Sequence, residues 1–403
     1  MNQWRIHLPV LFGIEAAAGD ELVALGYPKA AITRENGVVT LTLDSEEEAK
    51  DAVARLNYRL RTVERVLYEV ATFPATTFDE LFERAQQVPW ERWLDHGYQI
   101  VVNGYSRKSA LFGVPAIQRT LKKAIVTRLA AARGIESGHI REDRRVGRIE
   151  VRFAIISDQL TLLLETSGDG LHKRGYRPLR HEAPIRETLA AAMLHYSFFL
   201  RHVENNEGVY DPFCGSGTFL IEAAMMLANI APGVKRHFAA ERMAYFGKPR
   251  FDRERELAKR EQIPGLENRL FGSDLSGEAI GQARANAARA GVDHLISFRR
   301  ADIDDLTSEK LQEITGLDRL LLITNPPYGE RLSDHQTAKR MIASLGRLAD
   351  ADSQGIAPGL RVSVLSPDEQ FESIFGAAAD KKRKLYNGMI RCNMYHYFKY
   401  FAR

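Results

Sequence analysis

Cysteine is scarce. Cys214 and Cys392 are the two in 403 residues, too few for a disulfide framework and not spaced as a metal site, so both are expected to be reduced thiols. Long apolar runs are missing as well: none approaches the ~20 residues needed to cross a bilayer. The opening MNQWRIHLPVLFG lacks the charged, apolar and small-residue zones of a secretion signal. A cytoplasmic protein is therefore expected. There is no internal repeat or low-complexity tract, and no Gly-Lys-Ser/Thr string of a phosphate-binding P-loop.

What is present is the composition of an ordinary globular protein, 45% hydrophobic and 27% charged. Its length exceeds what one hydrophobic core usually holds, so two or three domains are expected. The net charge of +4 is modest but unevenly spread. Residues 1–100 carry 10 Lys/Arg against 16 Asp/Glu, whereas 101–148 carry 11 against 3. The second stretch is a candidate polyanion contact.

Residues 1–75 read as two strand-helix-strand units joined by a hairpin, a ferredoxin-like α+β module. Asn36-Gly37 between two β-rich runs predicts a type I′ turn, and Ser45 with Glu48 predicts a capping box. A second module spans 76–166 and opens on a helix capped by Thr77, with Glu80 in the third position after it. Within it, 114–132 predicts a helix with Ile117, Leu121, Ile125 and Leu129 on its core face. Arg119, Lys122 and Lys123 fall on another face, as candidate polyanion contacts. A solvated face is the ordinary fate of such charges.

From 167 to 403 short apolar strands alternate with helices, the pattern of a doubly wound α/β sheet. In such sheets ligands bind at the carboxyl ends of the strands, where Asp211, Asp274, Asp302 and Asn325 all fall. An insertion at 231–268, rich in Arg and Lys, offers either a further polyanion contact or a solvated helical excursion.

In DPFCGSGT, Gly215 and Gly217 allow a tight turn into a helix N-terminus, where backbone amides favour an anionic group. A dinucleotide fingerprint would need a third small residue and an acid ~20 residues on, but Asp274 comes 57 residues after Gly217. S-adenosylmethionine fits better. Its amino-acid end suits the loop and Asp211, its ribose hydroxyls suit Asp274, and its adenine suits Asp302. Each Asp alone could be a helix N-cap; three in register make a ligand site the better reading, with Asp302 the weakest. Cys214 is expected to be a small buried residue rather than a nucleophile.

The most specific string is TNPPYGERL at 324–332. Two prolines after a buried strand preset a rigid loop. The Asn325 side-chain carbonyl and the Pro326 backbone carbonyl can then accept from a planar exocyclic amine, steering its delocalised lone pair. Pro327 completes the loop, and Tyr328 offers a flat face for an extruded base. No metal is required.

On FGIEAAAGDELVALGY, HEAPIRETLAAAML, DPFCGSGTFLIEAA and TNPPYGERL, the chain resembles the THUMP-domain RNA guanine-N2 methyltransferases, nearly along its whole length. That resemblance implies a Rossmann-like S-adenosylmethionine methyltransferase domain preceded by ferredoxin-like and THUMP modules. It also implies a guanine in ribosomal RNA as target, with tRNA the alternative. It assigns Asp211, Gly215 and Gly217 to the methionine end, Asp274 to the ribose, Asp302 to the adenine, and Asn325 to Tyr328 to the target amine. Pro184 to Glu187 match a segment that such enzymes place beside the cofactor. The 403 residues do not contain the second methyltransferase domain that some ribosomal members carry. The rivals are an amino methyltransferase acting on DNA adenine or protein glutamine, and a non-catalytic RNA-binding assembly factor. The oligomeric state is not encoded in any motif.

Overall fold

The computed structural model describes residues 3–95, 97–135, 140–177, 185–328 and 335–398. The first unit runs β1 (Trp4–Pro9), α1 (Glu15–Ala24), β2 (Ile32–Glu35), β3 (Val38–Leu43), α2 (Glu46–Arg59) and β4 (Leu67–Pro74). It continues with α3 (Phe78–Gln87), β5 (Gln99–Arg107), α4 (Val114–Ala132), β6 (Arg148–Ile156) and β7 (Gln159–Glu165). The strands form one seven-stranded sheet in the order β2-β3-β1-β4-β7-β6-β5. The two stretches that read separately in sequence thus share a sheet, joined where β4 pairs antiparallel with β7.

Local signals account for most of these elements. Ser45 Oγ accepts from the Glu48 amide at 3.4 Å, and Thr77 Oγ1 from the Glu80 amide at 3.2 Å. The Glu80 carboxylate does not return to Thr77; it binds the amide and hydroxyl of Thr76, at 2.8 and 2.9 Å. The β2–β3 hairpin forms at Asn36-Gly37, but Gly37 alone there has a positive φ, 79°. The expected type I′ turn needs positive φ at both central residues, so that expectation is corrected. In α4, Ile117, Leu121, Ile125 and Leu129 are all fully buried, as the helical period requires.

The second unit contains α5 (Glu187–Tyr196), α6 (Phe199–Val203), β8 (Gly208–Asp211), α7 (Thr218–Leu227), α8 (Lys248–Arg260), β9 (Leu270–Asp274), α9 (Gly277–Ala290) and β10 (Ile296–Arg300). After these come α10 (Ser308–Thr315), β11 (Leu320–Thr324), α11 (His335–Leu348), β12 (Leu360–Ser366), α12 (Phe371–Phe375), β13 (Lys381–Asn387) and β14 (Ile390–Tyr397). The sheet order is β10-β9-β8-β11-β12-β14-β13. Its first five strands are parallel and its last two antiparallel. The order reverses at β8, between β9 and β11, so the loops after β8 and β11 flank the switch point where such sheets bind ligands.

The insertion 231–268 is not a solvated excursion. Helix α8 lies against α2, and its charges meet the acids there: Arg250 binds Glu47 and Asp51, and Arg253 binds Asp51. Arg59 of α2 returns the pairing to Glu254 and Glu261. Phe238 and Phe251 from the insertion pack on Tyr58, so the segment straps the two units together. Beneath it, the buried Arg174 binds Glu222 of α7 at 3.3 Å and donates to the Arg61 carbonyl of the N-terminal unit. No described helix is long and apolar enough to cross a membrane.

Candidate active site

The loop after β8 is built by glycine. Gly217 caps α7 in the left-handed region, φ 82°, and a Cβ there would lie 3.1 Å from Phe298 and 3.2 Å from Ala283. Gly215 is also left-handed, φ 50°, but a Cβ on it would meet open space. One glycine thus serves packing and backbone conformation together, the other conformation at a place where the backbone faces outward. Cys214 is buried, with its thiol pKa pushed well up by burial and by Asp211 and Asp274. Burial of this kind disfavours the thiolate that a nucleophile needs.

Asp211 ends β8 almost wholly buried. Its Oδ1 accepts from the Thr324 hydroxyl at 2.7 Å and from the Phe213 amide at 3.1 Å. Burial nevertheless pushes its pKa up to about 7, opposed by those hydrogen bonds and assisted by Asp274. At the end of β9, Asp274 bridges two loops: Oδ2 accepts from the Gly215 amide at 3.0 Å and Oδ1 from the Ser276 amide at 2.9 Å. The structure therefore brings Asp211, Gly215, Gly217 and Asp274 together. Asp302, after β10, spends Oδ1 on the Asp304 amide at 3.0 Å, the N-cap geometry that any such Asp can adopt. Pro184 lies outside the described residues. Nearby, Glu187 opens α5 and pairs with Arg177 at 2.6 Å, and Arg177 reaches the Thr218 hydroxyl at 3.3 Å.

At the end of β11, the side-chain oxygen of Asn325 is shielded from solvent and accepts no hydrogen bond among the described residues. Buried acceptors are almost always paired, and an unpaired one costs about 1–3 kcal/mol. Pro326 is buried behind it, and Pro327 is half-buried. Tyr328 is held by its hydroxyl, which accepts from Asn387 Nδ2 at 2.7 Å and lies 3.6 Å from Cys392 Sγ. Both partners belong to the β13–β14 hairpin.

Three contributors escaped the sequence reading. Thr324 orients Asp211, and its signal was a hydroxyl closing an otherwise apolar strand. Asn286 Nδ2 donates to the Ser216 carbonyl at 2.9 Å; a polar residue on the buried stripe of Ile280, Ala283, Ala287 and Ala290 was its signal. Asn387 had none, because its partner is 59 residues away. Of the basic trio on α4, Arg119 and Lys123 are exposed. Lys122 is bound to Glu142 at 3.0 Å, and Lys123 lies 5.4 Å from the Phe82 ring.

A parallel sheet with an antiparallel hairpin at one edge, a glycine loop facing a strand-end acid, and an Asn-Pro-Pro-Tyr strand end define a Rossmann-like α/β methyltransferase. The chain belongs to the RMKL-like family: the model of its methyltransferase domain matches residues 174–396. A THUMP domain matches 75–137, and the ferredoxin-like domain described for RlmL matches 5–67. The chain is 35% identical to "Putative RNA methyltransferase YpsC" of Bacillus subtilis, over 99% of its own length and 97% of that protein's. It is 31% identical to the ribosomal RNA large subunit methyltransferase K/L of Syntrophotalea carbinolica, over 96% of its own length. It spans about half of that longer relative, 52%. The crystal structure of SMU.472, "a putative methyltransferase complexed with SAH", superposes with a TM-score of 0.85 at 32% identity, each chain fully covered.

Proposed function

We propose that the chain methylates an exocyclic amine of an RNA base with S-adenosyl-L-methionine as donor, the target being N2 of a guanine in 23S rRNA. The observation that carries this is the solvent-shielded Asn325 oxygen, unpaired among the described residues, at the strand end beside the glycine loop. A planar amine donating to it would recover the lost hydrogen bond.

The site residues fit the cofactor: backbone amides at a helix N-terminus, a buried Asp able to take charge near neutral pH, and a strand-end Asp facing the loop. When bound, S-adenosylmethionine supplies an electrophilic methyl on a sulfonium. Asp211, Gly215 and Gly217 would hold its amino-acid end, Asp274 its ribose and Asp302 its adenine. Asn325 and the Pro326 carbonyl orient the amine hydrogens and stabilise positive charge developing on nitrogen, while Pro327 keeps the loop rigid. Tyr328 stacks on the base. Arg119 and Lys123, with Lys122 less available, meet RNA phosphates far from the chemistry. The THUMP match and the names of the relatives support RNA as the substrate class. A tRNA guanine is the second reading, because THUMP modules suit either RNA.

The test is incubation of the full chain with labelled cofactor and separately purified rRNA and tRNA from cells lacking the protein, followed by nucleoside analysis. N2-methylguanosine in the rRNA fraction is expected. Label in tRNA would move the target, label on another base would overturn the guanine assignment, and no transfer with intact RNA binding would favour an assembly factor.

A further inference from the structure

Residues 381–398 hold five Lys/Arg, at 381–384 and 391, and no Asp or Glu. They fold as the β13–β14 hairpin, in which Lys384 faces Asn393 and Tyr386 faces Arg391. Strand alternation therefore sets Lys384, Tyr386 and Arg391 on one face. The opposite face carries the buried Leu385, Cys392 and Met394, and Asn387, which holds the Tyr328 hydroxyl at 2.7 Å. The hairpin thus has one face on the proposed catalytic tyrosine and one turned away from it.

The outer face is aromatic as well as basic. The Lys384 ammonium lies 5.4 Å from the Tyr386 ring centroid. Phe12, from the loop after β1, meets Tyr386 edge-on at 5.9 Å yet stays 55% exposed, and Met389 at the tip is 97% exposed. Contact with the N-terminal unit is close: a Cβ on Gly13 would stand 2.3 Å from the Lys384 carbonyl, and the Tyr196 hydroxyl donates to the Gly13 carbonyl at 2.9 Å. Lysines on an edge strand are explained by protection against edge pairing. An exposed Phe12 ring against a half-buried Tyr386 beside them is not. Aromatic platforms next to cations are the chemistry of single-stranded nucleic-acid grooves.

We infer that Phe12, Lys384, Tyr386 and Arg391 form a groove that grips single-stranded RNA nucleotides flanking the target base. Tyr386 and Phe12 stack on bases, and Lys384 and Arg391 meet phosphates. Bases presented for methylation must be unstacked, and their neighbours need a new surface once the stack is broken. Charge complementarity, five cations and no acid over residues 381–398, favours RNA over a protein partner. The inference rests on the RNA reading above and adds to it where the strand lies.

The test uses the full chain, a short fluorescent single-stranded RNA and the same sequence as a duplex, with anisotropy read over a range of salt. Combined Phe12→Ala and Tyr386→Ala should weaken single-strand binding about tenfold or more, while Tyr386→Phe alone restores stacking and binds as the parent does. Combined Lys384→Ala and Arg391→Ala should make the logarithmic salt slope shallower by roughly 1.4, at ~0.7 per contact. Affinity for S-adenosylhomocysteine, the check on folding, should not move. Unchanged single-strand affinity and slope in both double variants would overturn the groove, including in favour of a protein-docking patch, while leaving the RNA reading standing. A parent chain that binds neither RNA would overturn both.

Discussion

The strand ends of β8 and β9 and the strand end of β11 lie side by side on one sheet, yet they treat polar atoms in opposite ways. Asp211 and Asp274 spend their carboxylates inside the protein, on Thr324, Phe213, Gly215 and Ser276. Asn325, one residue beyond Thr324, keeps a shielded oxygen that accepts from no described residue. The difference separates acceptors that also fix the shape of their own loop from one left wholly for a ligand. A loop that must keep its shape is tied by its own hydrogen bonds, whereas an acceptor meant for a substrate must be left for it, at a cost in stability.

The largest expected effect breaks the β11 side alone. Asn325→Ala should lower turnover by roughly 10²–10³-fold, the usual loss for a group matched to the transition state. S-adenosylhomocysteine affinity should remain that of the parent. Single-turnover kinetics beside calorimetry separate the two; near-normal turnover would sink the amine-steering role.

Next in size is a pH effect on the β8 side. Asp211 titrates near 7 when folded and near 3.9 when unfolded, so the folded state holds a proton that the unfolded state has released between those values. Its contribution to stability is present in full below about pH 4 and is lost as pH rises through about 7, on the order of 4 kcal/mol in all. Asp211→Asn keeps an acceptor for Thr324 and Phe213 but cannot ionise. Melting temperatures of the cofactor-free variant should fall less than the parent's across that window, and parallel profiles would remove the ionisation from the account.

Asp274→Ala sharpens the comparison further. Loss of a charged acceptor costs about 1.5–3 kcal/mol, so S-adenosylhomocysteine should bind roughly 10- to 100-fold more weakly. Release of the Gly215 amide should also loosen the loop. Calorimetry with unchanged affinity would refute the ribose role.

The smallest effect should touch neither strand end. Arg119→Ala with Lys123→Ala leaves the buried face of α4 intact and should only make the salt slope of RNA binding shallower, by roughly 1.4. Lys122→Ala should add less, because Glu142 already neutralises it. Slopes equal to the parent's in both variants would return this face to solvent.

Much of this was legible along the chain because its causes are local. The capping of α2 and α3, the period of α4 and the strand-end positions of Asp211, Asp274 and Asn325 depend on residues within a few positions of one another. The type I′ expectation at Asn36-Gly37 failed for a local reason too: a turn with positive φ only at its second central residue serves the same dipeptide. At Asp302 one carboxylate oxygen, Oδ1, caps the next turn, so register alone does not separate a helix cap from an adenine contact.

The sequence by itself determined the order of elements, the glycine loop, the preset Asn-Pro-Pro-Tyr strand end and the family to which these belong. Tertiary structure alone decided what each charge meets. Arg250 and Arg253 look like nucleic-acid contacts in a string of residues and are instead bound to the acids of α2. The cations of β13 pass for a strand edge until Phe12 arrives from the other end of the chain to stand beside Tyr386. Propensity and periodicity act over a few residues, whereas the partner of a charge or a ring is set by packing between segments hundreds of residues apart.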